Sequence, residues 1–201
     1  ISCIVAFIVL MFYMVAMYGV REGMVANCAL MLNFFFSFGI LTSLGAALTM
    51  SGIAGMVLTL GMAVDANVLI YERTKEEMRS GKHISAAVSA GYSNAFSAIF
   101  DSNVTTIITG VILYNFGTGP IKGFATTLII GIVCSFFTAV WLTRIAYEHF
   151  LNKGKWQDLK FTTSISKNML KDTKYKFMSM YKKSFVVFAA ILVVVVVSFA
   201  L

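Results

Sequence analysis

The sequence predicts an all-α protein, a polytopic bundle of about six transmembrane helices. Of its 201 residues, 59% are hydrophobic and only 12% are charged, and the mean hydropathy is +0.84. A typical soluble domain has about 25% charged residues. Apolar stretches of roughly 20 residues, the length that crosses a bilayer as a helix, recur along the chain. Together these observations exclude an ordinary soluble domain.

The first half of the chain predicts three of these helices. Residues 1–20 and 24–43 are apolar runs with only a short charged connection between them, so they should form an antiparallel pair. The uncharged, small-residue segment 44–52 suits a short connection on the opposite side. A third span covers about 53–72, and the polar residues after it indicate a helical extension that ends in a turn at Ser80–Gly81.

The second half predicts two further complete spans. Residues 84–93 have the composition of a short interfacial helix, and a fourth span runs from about 94 to 115. The glycines and the single proline of segment 116–123 indicate a tight turn. A fifth span follows over about 124–143.

The polar segments divide the chain and orient it. We assign residues 1–146 to one transmembrane domain, 147–183 to a basic linker and 184–201 to a further transmembrane helix. Fifteen of the 16 basic residues fall on one side of the predicted bundle, and only Lys122 falls on the other. By the positive-inside rule the basic side is cytoplasmic. The charge of +7 is therefore a topology signal that favours lipid headgroups, and not nucleic acid, as its partner.

The remaining composition favours no cofactor chemistry. Cys3, Cys28 and Cys134 lie far apart in apolar runs, so neither a disulfide framework nor a metal-ligand spacing is visible, and packing roles are expected. No nucleotide-binding loop, zinc-protease motif or redox pair is present. The chain has neither an initiator Met nor a charged leader before its first apolar run, so we expect residue 1 to lie inside a longer protein.

Asp65 is the main candidate functional residue because it is a carboxylate in the middle of the third span. Placing it there costs a few kcal/mol, so such residues usually face a bundle interior or a wet path. The alternative is a structural Asp that is hydrogen-bonded to a neighbouring helix.

Asp101 is the second carboxylate in the predicted membrane, and Thr105 and Thr109 follow it at intervals of four residues, on one slowly drifting helix face. With a rise of about 1.5 Å per residue, Asp65 and Asp101 both lie roughly 10 Å inside the cytoplasmic boundary. If the two carboxylates are close together, they should hold a proton between them. The alternative for Asp101 is a solvated residue near a helix end.

Small residues recur at intervals of four along the fifth span. Such a stripe allows a neighbouring helix to approach closely, and static packing is favoured over a sliding contact. Its members are Gly123, Thr127, Gly131, Ser135 and Ala139.

Three long motifs resemble one known family. They are Gly-Met-Ala-Val-Asp-Ala-Asn-Val-Leu-Ile-Tyr-Glu-Arg at 61–73, Asp-Ser-Asn-Val-Thr-Thr at 101–106 and Phe-Gly-Thr-Gly-Pro-Ile-Lys-Gly-Phe-Ala at 116–125. They are similar to the signature motifs of the SecD half of SecDF, the accessory component of the bacterial Sec translocon. The resemblance covers about residues 1–150. By position and composition, 184–201 is similar to the first helix of a fused SecF half.

The resemblance implies a fold like the RND superfamily, with two six-helix halves of which this chain holds helices two to six of the first and helix one of the second. It implies a multi-pass protein of the bacterial inner membrane that uses the proton-motive force in late, extracytoplasmic steps of preprotein export. The implied partners are a SecYEG-type translocon, a SecF half or subunit, a YajC-like accessory protein and the translocating preprotein. Protons are the coupling ion, and no enzymatic activity, cofactor or metal is implied.

The site residues follow from the motifs and the helix pattern together. Asp65 matches the family's intramembrane Asp that is implicated in proton transfer, and we expect Asp101 to assist it. Small departures from the family pattern, at Tyr71 and Ser102, leave these positions untouched. The expected polar surround is Asn67, Asn103, Thr105 and Thr106. The motif and packing residues are Gly61, Gly117, Gly119, Pro120, Gly123 and Gly131.

Two other functions remain open, and a third is disfavoured. A proton-driven RND-type exporter of lipids or small molecules would share the charged membrane core. A passive translocon scaffold would need Asp65 only as helix glue. An intramembrane aspartyl protease is disfavoured because such enzymes use Tyr-Asp and Gly-x-Gly-Asp, whereas Val64 precedes Asp65 and Phe100 precedes Asp101.

Overall fold

The computed structural model describes residues 2–45 and 49–153, together with eight separate positions: Trp156, Leu159, Phe161, Thr163, Phe185, Phe188, Ile191 and Leu192. All regular secondary structure in these residues is helical, which confirms the predicted all-α class. Residues 1–166 form one compact unit and residues 167–201 a second. Of the predicted sixth span only Phe185, Phe188, Ile191 and Leu192 are described, and most of the predicted basic linker lies outside the described residues.

Helices α1 (Ser2–Tyr18) and α2 (Val20–Ser43) form an antiparallel hairpin. Gly19 alone separates them, and its φ of +104° is one that side-chain-bearing residues rarely adopt. The pair packs closely, because a Cβ added to Gly23 would lie 2.6 Å from Val15 Cα. Helix α2 therefore begins four residues earlier than the sequence pattern suggested, since one glycine is enough for the reversal.

Helices α3 (Met50–Arg79) and α4 (Ile84–Phe116) are the longest unbroken α-helices described. Thr49 caps the start of α3 by accepting a hydrogen bond from Gly52 N at 3.1 Å. The expected interfacial helix and the expected fourth span form one continuous helix. Asn94, the predicted start of the fourth span, does not cap a new helix, and its side-chain amide donates a hydrogen bond to Glu77 Oε1 at 2.7 Å.

Helix α5 (Gly119–Phe136) continues through a π-helical segment (Phe137–Leu142) into α6 (Thr143–Asn152). Pro120 lies in the first turn of α5, where its missing N–H leaves no helical bond unmade. The predicted turn is thus much shorter than 116–123. Four helices of the described chain are long and apolar enough to cross a membrane, and a shorter apolar helix spans Ile4–Tyr18.

Helix α3 is central and packs most extensively on α5 and α4. The small-residue stripe of α5 faces it. A Cβ added to Gly131 would lie 2.5 Å from Thr59 Oγ1, and one added to Gly123 would lie 2.8 Å from Thr49 Oγ1. Contacts this close leave no room for larger side chains at either glycine, so they set the spacing between the two helices.

We call the end of the bundle that holds Arg21, Lys75, Lys82, Arg144 and Lys153 the basic end. A cluster of aromatic rings fills it. Phe161 is 1% exposed, and its ring centroid lies 5.4 Å from that of Tyr71 and 5.9 Å from that of Tyr147. Phe161, nine residues after the end of α6, therefore packs into the bundle at its basic end.

Candidate functional site

Asp65 lies at the middle of α3 with its side chain exposed. It lines an open pocket of about 390 Å³ whose other wall is formed by Leu10 and Tyr13 of α1. Gly61, one turn away on α3, lines the same pocket, and a Cβ added to it would meet nothing within 4 Å. The space beside the carboxylate is thus open where a side chain at 61 would narrow it.

The carboxylate of Asp65 has no partner in the part of the chain that the structure describes. Among the described residues no hydrogen bond or ion pair reaches it, and the same is true of the Asp101 carboxylate, which is exposed on α4. No contact among these residues supports the alternative that Asp65 is a structural residue hydrogen-bonded to a neighbouring helix. A carboxylate at this depth faces hydrocarbon at a cost of a few kcal/mol unless water or another protein surface covers it.

The two carboxylates lie at similar distances from the point where α3 and α4 cross. Helices α3 and α4 cross where Thr74 touches Gly91, and they run antiparallel. Asp65 comes nine residues before Thr74 and Asp101 ten after Gly91, which places them about 14 and 15 Å from the crossing at 1.5 Å per residue.

The structure does not bring these carboxylates together. Thr74 lies on the face of α3 that packs against α4. Asp65 is nine residues, or two and a half helical turns, away, so it projects from the opposite face of α3. Its pocket is shared with α1 instead. The described geometry therefore provides no shared proton between Asp65 and Asp101.

The expected polar surround is directed away from Asp65. Asn67 is buried on another face of α3, where its amide donates to Ala63 O at 3.3 Å. Asn103 donates to Ile99 O, Thr105 to Asp101 O and Thr106 to Ser102 O. Each group satisfies a carbonyl of its own helix, and none of them contacts the Asp65 carboxylate among the described residues.

The motif glycines and the proline serve the ends and faces of helices. Gly117 ends α4, where a Cβ would clash with Leu113 O, and Gly119 opens α5 with a φ of +40°. Pro120 O accepts a hydrogen bond from Ser51 Oγ at 2.6 Å, which ties the start of α5 to the start of α3. Gly123 and Gly131 lie in the α3–α5 interface described above.

Glu22 is a polar residue that the sequence pattern did not single out. It is 6% exposed, and its Oε1 accepts a hydrogen bond from Phe161 N at 3.2 Å. The Tyr71 hydroxyl donates to Glu22 O at 3.0 Å. In the sequence Glu22 is the second residue of a short charged connection, which does not suggest burial. Its hydrogen-bond partner Phe161 lies 139 residues later in the chain, so no local pattern could identify it.

The π-helical segment is a second feature without a sequence signal. Thr138 Oγ1 donates to Cys134 O and to Ser135 O, and Tyr92 donates to Thr143 Oγ1 at 2.7 Å. Asn67 Oδ1, on the neighbouring helix α3, is buried and has no hydrogen-bond partner among the described residues. Segments of this kind occur often near functional sites.

Comparisons with known proteins place this arrangement in context. The family model for the protein export membrane protein SecD/SecF, C-terminal, matches residues 1–151. Protein translocase subunit SecD of Rhodothermus marinus is 56% identical over 133 residues, which are 66% of this chain and 21% of that protein. Protein translocase subunit SecD of Desulfurispirillum indicum is 51% identical over 150 residues, 75% of this chain and 29% of that protein.

A solved structure agrees with these sequence relatives. The crystal structure of SecDF, a translocon-associated membrane protein from Thermus thermophilus, superposes with a TM-score of 0.84 at 34% identity. The match covers 98% of this chain and 26% of that one. This chain therefore spans only about a fifth to a third of the length of these relatives.

Proposed function

Because this chain belongs to the SecD/SecF family of protein-export membrane proteins, we propose that it couples the proton-motive force to late, extracytoplasmic steps of preprotein export. It does so as part of a longer subunit in the bacterial inner membrane, with its basic end in the cytoplasm. A SecYEG-type translocon, a SecF half, a YajC-like protein and the preprotein are its partners. Asp65 is the group that binds and releases the proton.

The observation that carries this proposal is the open, unpaired carboxylate of Asp65 in the middle of α3, within the described residues. An ionised carboxylate at this depth needs water or a polar partner, whereas the protonated acid tolerates an apolar surface. Protonation therefore changes which surface can pack against the Asp65 pocket between α1 and α3. A proton that binds from one side and leaves on the other drives the exchange between the two packings.

The energy available suits a change of packing. A proton that crosses a potential of 100 mV yields about 2.3 kcal/mol. That amount shifts a two-state equilibrium by about 50-fold, which is enough to bias a bistable bundle but not to unfold a large domain in one step. Asp101 has an accessory role at the same depth on the neighbouring helix.

The test compares variants of the full-length protein that carries this chain, in sealed membrane vesicles. Asp65→Asn keeps the size of the side chain and removes its titration, so we expect the gradient-dependent part of preprotein export to disappear. Asp101→Asn is the matched control, because it neutralises the other described membrane carboxylate at the same depth. We expect that control to lose much less export.

Protein level and thermal unfolding in the same membranes separate a lost function from a lost fold. Normal export by a folded Asp65→Asn variant would overturn the proposal and leave a passive scaffold. Equal losses in both variants would show that depth and charge matter and that Asp65 has no special role.

A further inference from the structure

An apolar groove runs along the outside of the bundle between α2 and the helix formed by α5 and α6. Its volume is about 340 Å³. One wall is a stripe of α2, and the other is formed near the end of the π-helical segment and by α6. Met24, Cys28 and Leu32 line the groove on α2, and Ala146, Phe150 and Trp156 are among the residues opposite.

Among the described residues that line this groove, Arg21 is the one cation, and it lies at one end. Arg21 is exposed at the basic end and lines the groove mouth. Within the described residues it forms no ion pair and no side-chain hydrogen bond, whereas Arg73 and Arg144 each pair with a glutamate at 2.8 Å. Its neighbour Glu22 is turned inward and accepts Phe161 N–H. The charge of Arg21 is thus available to a molecule in the groove.

We propose that this groove binds one anionic phospholipid, with the phosphate on Arg21 and an acyl chain along α2. The charge distribution of the groove matches this ligand, because the described lining has a cation at the mouth and only apolar or weakly polar side chains beyond it. A neutral helix of another protein would leave Arg21 uncompensated. A soluble anion would leave the apolar walls uncovered.

The dimensions and the level in the membrane fit this occupant. Arg21 and Leu32 are 11 residues apart on α2, which is about 16 Å along the helix and close to the length of an acyl chain. The rings of Phe150 and Trp156 stack beside the mouth of the groove, with their centroids 4.3 Å apart. Tryptophan is enriched at the headgroup level of membranes, so this stacked pair indicates where the groove meets the interface.

A second groove in the same bundle provides an internal control. It has a volume of about 430 Å³ and lies towards the other end of α1, α2 and α3, with Phe7, Met31 and Met56 among its lining residues. Every described residue that lines it is apolar. An acyl chain in this groove has no reason to prefer one headgroup over another.

The experiment uses the full-length protein in nanodiscs with phosphatidylglycerol and phosphatidylcholine that carry the same photoactivatable acyl chain. Cross-linked peptides are counted by mass spectrometry. We expect the peptide with Met24–Leu32 to favour phosphatidylglycerol about fivefold, which corresponds to about 1 kcal/mol for a basic residue that faces an anionic headgroup. The control groove should give a ratio near one.

Two variants test the role of the charge. Arg21→Gln should reduce the ratio to near one, whereas Arg79→Gln should leave it unchanged. Arg79 is a matched control because it is also exposed at the basic end without an ion pair in the described chain, but it does not line the groove. A third variant, Cys28→Trp, should reduce the yield of both lipids because it fills the groove from an exposed position.

Three results would overturn the proposal. One is a ratio near one in the unchanged protein. Another is a preference that survives Arg21→Gln. The last is the absence of lipid cross-links on α2 while the control groove is labelled, which would mean that a protein surface covers this face.

Discussion

Thr74 of α3 lies directly against Gly91 of α4, so closely that a Cβ on Gly91 would lie 2.8 Å from both Thr74 N and Thr74 Cα. Thr74 is 1% exposed, and its hydroxyl donates to Ile70 O at 2.8 Å. Backbone atoms cannot move aside as a side chain can, so this contact sets the crossing of the two helices. The depth of Asp101 relative to Asp65 depends on it.

Replacing Gly91 should therefore destabilise the bundle. For Gly91→Ala we expect a loss of 1–3 kcal/mol, about the usual cost of overpacking, although alanine favours a helix by about 1 kcal/mol over glycine. Gly61→Ala is the control, since a Cβ there meets nothing within 4 Å. Thermal unfolding in detergent should show a lower midpoint for the first variant only. Equal midpoints would contradict the close crossing.

The Tyr71 hydroxyl links α3 to the turn between α1 and α2. Tyr71 is 1% exposed, and its hydroxyl donates to Glu22 O. Tyr71→Phe removes this bond and leaves the ring in place, so we expect a loss of about 1 kcal/mol. Tyr71→Ala also removes the ring and should cost about 3–5 kcal/mol. Denaturant titration distinguishes the two, with Tyr114→Phe as the control because Tyr114 is 43% exposed. Similar losses for both Tyr71 variants would contradict this assignment.

The helices of this bundle could be predicted from apolar length, but their ends could not. The reversal at Gly19 needs one residue with positive φ, and no local pattern distinguishes it from the other glycines. Asparagine is common at helix starts, yet the side-chain amide of Asn94 donates a hydrogen bond to Glu77 on α3. End positions depend on such tertiary partners, which the local sequence does not contain.

The same limit applies to the candidate site. Counting residues along two antiparallel helices gives Asp65 and Asp101 similar distances from the contact between Thr74 and Gly91. Which way each side chain faces depends on the rotation of the helices about their axes, and the contact between Thr74 and Gly91 determines this. Counting along the helices therefore gives a position for each carboxylate along its helix axis, but it could not predict that the two project from different faces.

Phe161 should hold the chain after α6 against the basic end. Its backbone has a φ of +43°, and its N–H donates to buried Glu22. Phe161→Ala removes the ring that packs on Tyr71 and Tyr147, so we expect a loss of about 3–5 kcal/mol of local packing. Limited proteolysis should then cut residues 153–166 faster. Phe116→Ala is the control because Phe116 is 85% exposed. Unchanged cleavage in the Phe161 variant would contradict an anchoring role.

The pocket beside Asp65 can be filled without disturbing the core. A Cβ at Gly61 meets nothing within 4 Å, and the pocket it shares with Asp65 holds about 390 Å³. Gly61→Leu should therefore leave the unfolding midpoint unchanged or slightly raised, since leucine favours a helix over glycine by about 0.5–1 kcal/mol. The same variant shields the carboxylate from water and from any surface that packs on this groove.

We expect Gly61→Leu to reduce gradient-dependent preprotein export at least tenfold in vesicles that contain the full-length protein. Gly39→Leu is the matched control, because Gly39 also has open space around it and lies on α2, away from the Asp65 pocket. A similar decrease in both variants would indicate a general effect of added bulk in the membrane. A leucine at position 61, one turn from Asp65, would occupy the space through which a proton or a partner helix reaches the carboxylate. Full export by a stable Gly61→Leu protein would therefore mean that Asp65 does not act through this pocket.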